Sequence, residues 1–221
     1  MKGNKKEILR IDFHTHQTIN DSELSLFNVH CADLFSEDKI CSVGLHPWHL
    51  NSDSLRLEKE WMQNVVQRDN VLAIGECGLD KHCKVPWDLQ MEAFKWQLEL
   101  AEKSKKPVIV HCVRAQQEIL RLLNDFNVEY VFHGFNRTLA MAVEIIEMGG
   151  FVSMTAAFLR TENGRSIARN IEQNSIFLET DNDLSSISEA YICLANIWQK
   201  SMDEVEQIIA QNTKRIGLKM F

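Results

Sequence analysis

The feature that most constrains the fold of this chain is a repeated alternation of short apolar runs with longer amphipathic stretches. The runs fall at 8–13, 24–29, 40–45, 71–74, 108–110, 130–132, 151–153 and 176–178, and are mostly β-branched or aromatic. Such runs suit parallel strands covered on both faces. Between them, 53–68 carries Leu55, Trp61, Met62 and Val65 at helical spacing, and 87–104 carries Leu89, Phe94, Leu98 and Ala101 in the same way. Segments 115–125, 139–147 and 164–172 continue the pattern, and 187–199 and 203–211 read as two closing helices.

Alternating strands and helices imply a parallel sheet with right-handed crossovers. Eight strands in 221 residues predict an α/β protein with a single domain over 1–221, a (β/α)8 TIM barrel near the short end of its range. An open doubly wound sheet is the alternative. From His16 to Ile40 there are too few residues for two helices and a strand. The helices after strands one and two are therefore predicted to be reduced or missing.

Lys plus Arg number 24 and Asp plus Glu 31, a net charge of −7. That balance excludes a protein that grips nucleic acid by a general basic surface, but not an enzyme with one local phosphate site. No apolar run approaches the ~20 residues of a membrane span. The polar segment 1–6 leads straight into a strand pattern, unlike a signal peptide. The six cysteines form no C-x-x-C pair and sit largely in apolar runs. These features predict a cytoplasmic protein with reduced thiols, no membrane association and no obligate protein partner.

In a barrel, chemistry gathers where strands end. The first run closes in Asp12-Phe13-His14-Thr15-His16, which strand alternation places with Asp12, His14 and His16 on one face. The fourth is followed by Gly75-Glu76-Cys77-Gly78, a carboxylate at the edge of a dry core, costly unless paired or coordinated. The fifth and sixth end in His111 and His133, and the last in Glu179-Thr180-Asp181. His14, His16, Glu76, His111, His133 and Asp181 form a nitrogen-and-carboxylate set suited to Zn, Mn, Fe or Ni. Six ligands exceed one tetrahedral ion, so two divalent ions per chain are expected, with a water activated between them.

The chain resembles the TatD family of metal-dependent hydrolases over Ile11 to Leu218. Asp12-Phe13-His14-Thr15-His16 is similar to its D-x-H-x-H, Gly44-Leu45-His46-Pro47 to its G-x-H-P, and Gly75-Glu76-Cys77-Gly78-Leu79-Asp80 to its G-E-x-G-L-D. The resemblance implies a barrel, divalent metals (Zn, Mn, Mg, Ni or Fe) and hydrolysis of DNA or a nucleotide-like phosphodiester, often from a 3′ end. It implies that His14, His16 and Asp181 hold one ion, His111 and His133 a second, and Glu76 bridges them. His46 would face the substrate phosphate. Asp181, Glu76 and His46 are thus the catalytic candidates.

Three departures accompany the match. The family's arginine after the fifth strand is replaced by Val113, with Arg114 one position later. The Ser-Pro after E-T-D is absent, and the region between strands one and three is short. Arg114 and Arg160 are candidate phosphate contacts, and Trp48 and Trp87 candidate base contacts that equally suit packing roles. His30 reads as a loop histidine near the mouth, His49 and His82 as surface or packing residues, and Asp80 as a support for a ligand. Two rival readings are a barrel hydrolase of a small cyclic amide, lactone or phosphate ester, and a non-catalytic metal- or nucleic-acid-binding protein.

Overall fold

The computed structural model describes residues 10–17, 24–183 and 185–220. Eight strands pair in parallel in strict chain order: β1 (Ile11–Thr15), β2 (Leu24–Val29), β3 (Cys41–Val43), β4 (Val71–Asp80), β5 (Val108–Val113), β6 (Tyr130–Phe132), β7 (Phe151–Met154) and β8 (Ile176–Leu178). Helices α1 (Leu55–Val65), α2 (Trp87–Ser104), α3 (Gln116–Leu123), α4 (Leu139–Glu147), α5 (Ala156–Leu159), α6 (Glu162–Asn170), α7 (Ile187–Trp198) and α8 (Met202–Arg215) follow from β3 onward. The β2–β3 connection holds a single 3₁₀ turn, Ala32–Leu34. The fold is thus a TIM barrel with its first crossovers trimmed, as the short spacing predicts. The predicted start of the first strand at 8 and residues 18–23 lie outside the described residues.

The barrel closes by a point contact rather than a ladder. Asp181 N–H donates to His14 O at 2.9 Å, and His16 N–H donates to Asp181 O at 3.1 Å. Below this seam, Phe13 of β1 and Phe177 of β8 stack with centroids 4.4 Å apart. Tyr191 of α7 clamps β1 from outside, its hydroxyl accepting from Ile11 N–H at 2.9 Å and donating to Ile11 O at 3.2 Å. These contacts make the ends of the chain carry the closure, because a parallel β1–β8 pair cannot be joined locally.

Two strands run beyond their apolar cores. The apolar runs stop at Ile74 and Val110, but β4 continues to Asp80 and β5 to Val113, pairing Gly78 with His111 and Asp80 with Val113. Glu76 therefore lies within a strand, beside an irregularity between Ile74 and Cys77. Backbone pairing carries the strands through polar residues that end the hydrophobic pattern. Glycine permits it: a Cβ on Gly78, at φ +153°, would stand 2.0 Å from His111 O. The short α5 was not expected, since one turn carries no periodic signal; Thr155 caps it by accepting from Phe158 N–H.

Gly78→Ala should destabilise the fold by about 2–6 kcal/mol, the sum of overpacking and left-handed strain. Urea denaturation of the variant beside the parent measures it. A loss below about 1 kcal/mol would show that β4 and β5 separate easily at this point.

Candidate metal centre

Glu76 is the hub of the cavity at the C-terminal ends of the strands. Its residue is 3% exposed, and its two oxygens face different partners. Oε1 lies 2.6 Å from His111 Nδ1, 2.7 Å from His133 Nε2 and 3.0 Å from His46 Nε2. Oε2 faces His14 Nε2 at 3.3 Å and His16 Nε2 at 3.6 Å. Asp181 Oδ1 stands across from these two, at 3.8 Å from His14 Nε2 and 3.5 Å from His16 Nε2. Asn28 of β2 orients the hub, its Oδ1 accepting from Glu76 N–H at 2.9 Å.

All six expected ligands are thus gathered from β1, β4, β5 and β6, or the residues just after them, and from the loop after β8. Asp12 goes elsewhere: its carboxylate accepts from Thr180 N–H at 2.9 Å and from the Thr180 hydroxyl at 2.6 Å, which ties β1 to the segment carrying Asp181. Asp181 has φ +52°, a conformation aspartate tolerates better than most residues. That bend lets its backbone close the barrel while its side chain enters the cavity.

The hydrogen bonds separate ligands from donors. His46 Nδ1 accepts from Trp48 N–H at 3.1 Å, so the neutral ring carries its proton on Nε2 and presents a donor, not a lone pair, to the cavity. His111 is turned the other way. Its Nε2 faces Asp80 Oδ2 at 3.5 Å and its Nδ1 faces the cavity beside Glu76, as in a carboxylate–histidine–metal arrangement. Asp80 also accepts from Trp48 Nε1–H at 2.5 Å and from His82 N–H at 2.6 Å. Burial alone would raise the Asp80 carboxyl, but these donors hold it below its ordinary value.

Charge within the cluster is unevenly shared. Burial, reinforced by His133, lowers His14 to about 4, so its ring is neutral at neutral pH. Glu76 is held well below the usual carboxylate range by His133, His111 and His14, despite burial acting the other way. Burial likewise opposes charge on His133, yet Glu76, with Glu179 and Asp181 behind it, pushes it up to about 9. Glu179 is not in the ligand set; buried and therefore raised to about 8, it accepts from Ser153 Oγ–H and Gly134 N–H.

The family model described as TatD related DNase matches residues 15–217. The chain belongs to the TatD family. The TATDN1 homolog of Vairimorpha ceranae, whose name carries the word deoxyribonuclease, is 30% identical over 77% of this chain and 62% of its own length. The uncharacterized metal-dependent hydrolase YabD of Bacillus subtilis strain 168 is 25% identical over 79% of this chain and 76% of its own. The chain thus spans less than two thirds of the first of these relatives. The TatD homolog YJJV of Escherichia coli K12 shares the fold with a TM-score of 0.80 at 21% identity, covering 95% of this chain and 98% of that one.

The TatD centre has the donors that divalent ions require. Ligand atoms of His14, His16 and Glu76, and of His14, His133 and Asp181, lie within 4.8 Å of one another. His14 Nδ1 and Nε2, His111 Nε2 and His133 Nδ1 are buried without a hydrogen-bond partner. Of these, His14 Nε2 faces Glu76 Oε2 at 3.3 Å, and a neutral ring nitrogen left without a hydrogen bond beside a buried carboxylate fits a cation. His46, Glu76 and His111 also lie within this range, but the His46 tautomer removes it from the ligand set.

Two expected phosphate contacts are not brought to this TatD cavity. Arg160 caps α5 and pairs with Glu189 on the outer surface. Arg114 follows β5 in an exposed position with φ +54° and does not line the cavity. A residue's place after a strand does not set its direction, and here an outer carboxylate holds one arginine. Conversely, His30, His49, Trp48 and Asn28 line the cavity. Trp87 packs against the core.

Metal loading should expel protons. At pH 7, below about 9, His133 in the metal-free protein holds a proton that an ion must displace, while His14 is already neutral. Affinity should therefore rise with pH up to about 9, by roughly tenfold per unit for a one-proton exchange. Titration calorimetry of Zn or Mn binding in buffers of unlike ionisation enthalpy should count about one proton released per chain near pH 7. Buffer-independent heats, with flat affinity from about pH 6 to 8, would contradict the assignment of His133 as a ligand.

Proposed function

We propose that this chain is a divalent-metal-dependent hydrolase of phosphodiester bonds, with DNA or a nucleotide-like ester as substrate. The observation that carries the reading is the split of Glu76: one oxygen toward His111 and His133, the other toward His14 and His16. A carboxylate so placed suits a bridge between two ions, of Zn, Mn, Mg, Ni or Fe, completed by Asp181. Ions in such a centre acidify water and offset charge on a phosphoryl oxygen. The family membership and the names of the relatives agree with this chemistry.

The chain's own residues divide the remaining work. The Asp181 side chain is 30% exposed and reaches the cavity, where it accepts the proton of the attacking water. His46 Nε2–H donates to the phosphoryl oxygen on which charge grows. Asn28 and Asp80 position Glu76 and His111. No helix among the described residues is long and apolar enough to cross a membrane. The six cysteines are free, which supports a reducing, cytoplasmic setting.

The decisive assay incubates protein loaded with Mn, Mg, Zn or Ni with single-stranded DNA, duplex DNA, a small phosphodiester, a lactone and a cyclic amide. Release of nucleotides is expected. Turnover of only the lactone or amide would move the activity to another ester or amide class, and stoichiometric binding without turnover would make the chain a binding protein.

Two variants test the division of labour. Asp181→Asn should lower kcat by about 10²–10⁴-fold on a phosphodiester while substrate Kd changes much less. His46→Ala should keep the full metal content and lower kcat by about 10²–10³-fold. Kinetics and elemental analysis on the same samples check both. Retained kcat for Asp181→Asn at full loading removes it as the proton acceptor, and metal lost from His46→Ala returns His46 to the ligand set.

A further inference from the structure

Trp48 is 58% exposed, yet it is not loose. Its indole Nε1–H is committed to Asp80 Oδ2 and its backbone N–H to His46 Nδ1. The ring is near-perpendicular to His46, with centroids 5.0 Å apart at 86°, and to His111, at 5.8 Å and 78°. Both polar handles are thus used on the protein side, and the exposed part of the ring lines the cavity. Holding a large apolar ring in water in one orientation is unfavourable unless something covers it, and its rigidity lowers the entropy cost of that contact.

The surroundings say what would cover it. The cavity has a volume of about 320 Å³ and its lining includes no Lys or Arg. Beyond the metal ligands, its wall is made of the rings of His30, His46, Trp48 and His49 and the amides of Asn28 and Asn182. His30 and His49 stack at 4.8 Å and 22°, and His49 lies 5.6 Å from His46. A wall of π-faces and two amides, without Lys or Arg, suits a flat ring next to a phosphate better than an alkyl ester or a bare phosphate.

We propose that Trp48 is the base-stacking platform of this site. The base of the nucleotide flanking the scissile phosphate lies on its indole face, so the substrate class is a nucleoside phosphate ester. This rests on the phosphodiesterase reading above for the scissile bond, but the stacking itself needs only a bound nucleotide. The hydrogen bond to Asp80 sets the ring's angle, and the same carboxylate faces His111, so base platform and metal ligand share one support.

The test uses Mn-loaded protein and the variants Trp48→Ala and Trp48→Phe. Phe keeps an aromatic face but lacks the indole N–H, which separates stacking from any effect through Asp80. Two measurements are made: Kd for thymidine 5′-monophosphate against deoxyribose 5-phosphate, and kcat/KM for single-stranded oligonucleotides whose terminal nucleotide carries a base or is abasic. Trp48→Ala should weaken monophosphate binding and lower kcat/KM on the base-bearing end by about 5–150-fold, the worth of one stacked base. For deoxyribose 5-phosphate and the abasic end, Trp48→Ala should change values no more than Trp48→Phe does, and Trp48→Phe should remain within a few-fold of the parent on every ligand. Equal losses with and without a base, no loss with either, or a parent that does not prefer the base-bearing ligand would each overturn the platform. If no oligonucleotide is cleaved but the base-dependent change in Kd persists, the platform stands and the phosphodiesterase reading falls. Cleavage without base-dependence gives the reverse.

Discussion

The structure is organised around a carboxylate that has no business in a dry interior on its own. An isolated buried carboxylate costs several kcal/mol even after relaxation, and Glu76 is almost wholly out of water. It is tolerable because five imidazoles and the Asn28 side chain converge on it. That convergence dictates much else. β4 must run beyond its apolar stretch, Gly75 and Gly78 must let β5 approach, and the ends of β1, β3, β5 and β6 must point inward at one height.

The same economy appears at the barrel seam. A parallel β1–β8 pair brings together the two ends of the fold, and here the pairing is carried by His14, His16 and Asp181 through their backbones. The residues that close the barrel are also those whose side chains enter the cavity on the Oε2 side of Glu76. Asp12 and Thr180 reinforce the junction from beneath. Closure and ligand geometry are therefore one event. An ion bound between these side chains would stabilise the barrel, because it would bind the closed state and not the open one.

The strands were legible in the sequence because strands covered on both faces leave continuous apolar runs, and their order follows from the helices between them. The ends of β4 and β5 were not, because Glu76 and His111 interrupt the apolar pattern while backbone pairing continues. The ligand types were legible too, since imidazoles and carboxylates after apolar runs have few inexpensive resting places. Direction was harder to read. Arg160 and Arg114 occupy the right places in the chain, but one is held by Glu189 on the surface and the other stands off the cavity. Asn28 is a neutral residue in an apolar strand, and only its contact with Glu76 N–H marks it. The tautomer of His46 depends on a backbone N–H two residues later, which no residue type announces.

The charge distribution bears on how such a site holds an anionic substrate. The chain carries −7 overall, and the cavity lining contains Glu76 and Asp181 but neither Lys nor Arg. Without ions in the centre, a phosphate would meet two carboxylates and a set of imidazoles mostly turned toward them. Ions held there would engage those carboxylates and imidazoles and bring positive charge to the cavity. On the proposed function, affinity for a phosphate ester would then depend on the metals. What remains to distinguish one ester from another is the shape and the π-faces of the wall. The trimmed connection after β2, reduced to one 3₁₀ turn, leaves that wall to His30, His49 and Trp48 rather than to a covering helix. On the proposed function, a short loop would alter recognition while leaving the ligand cluster intact.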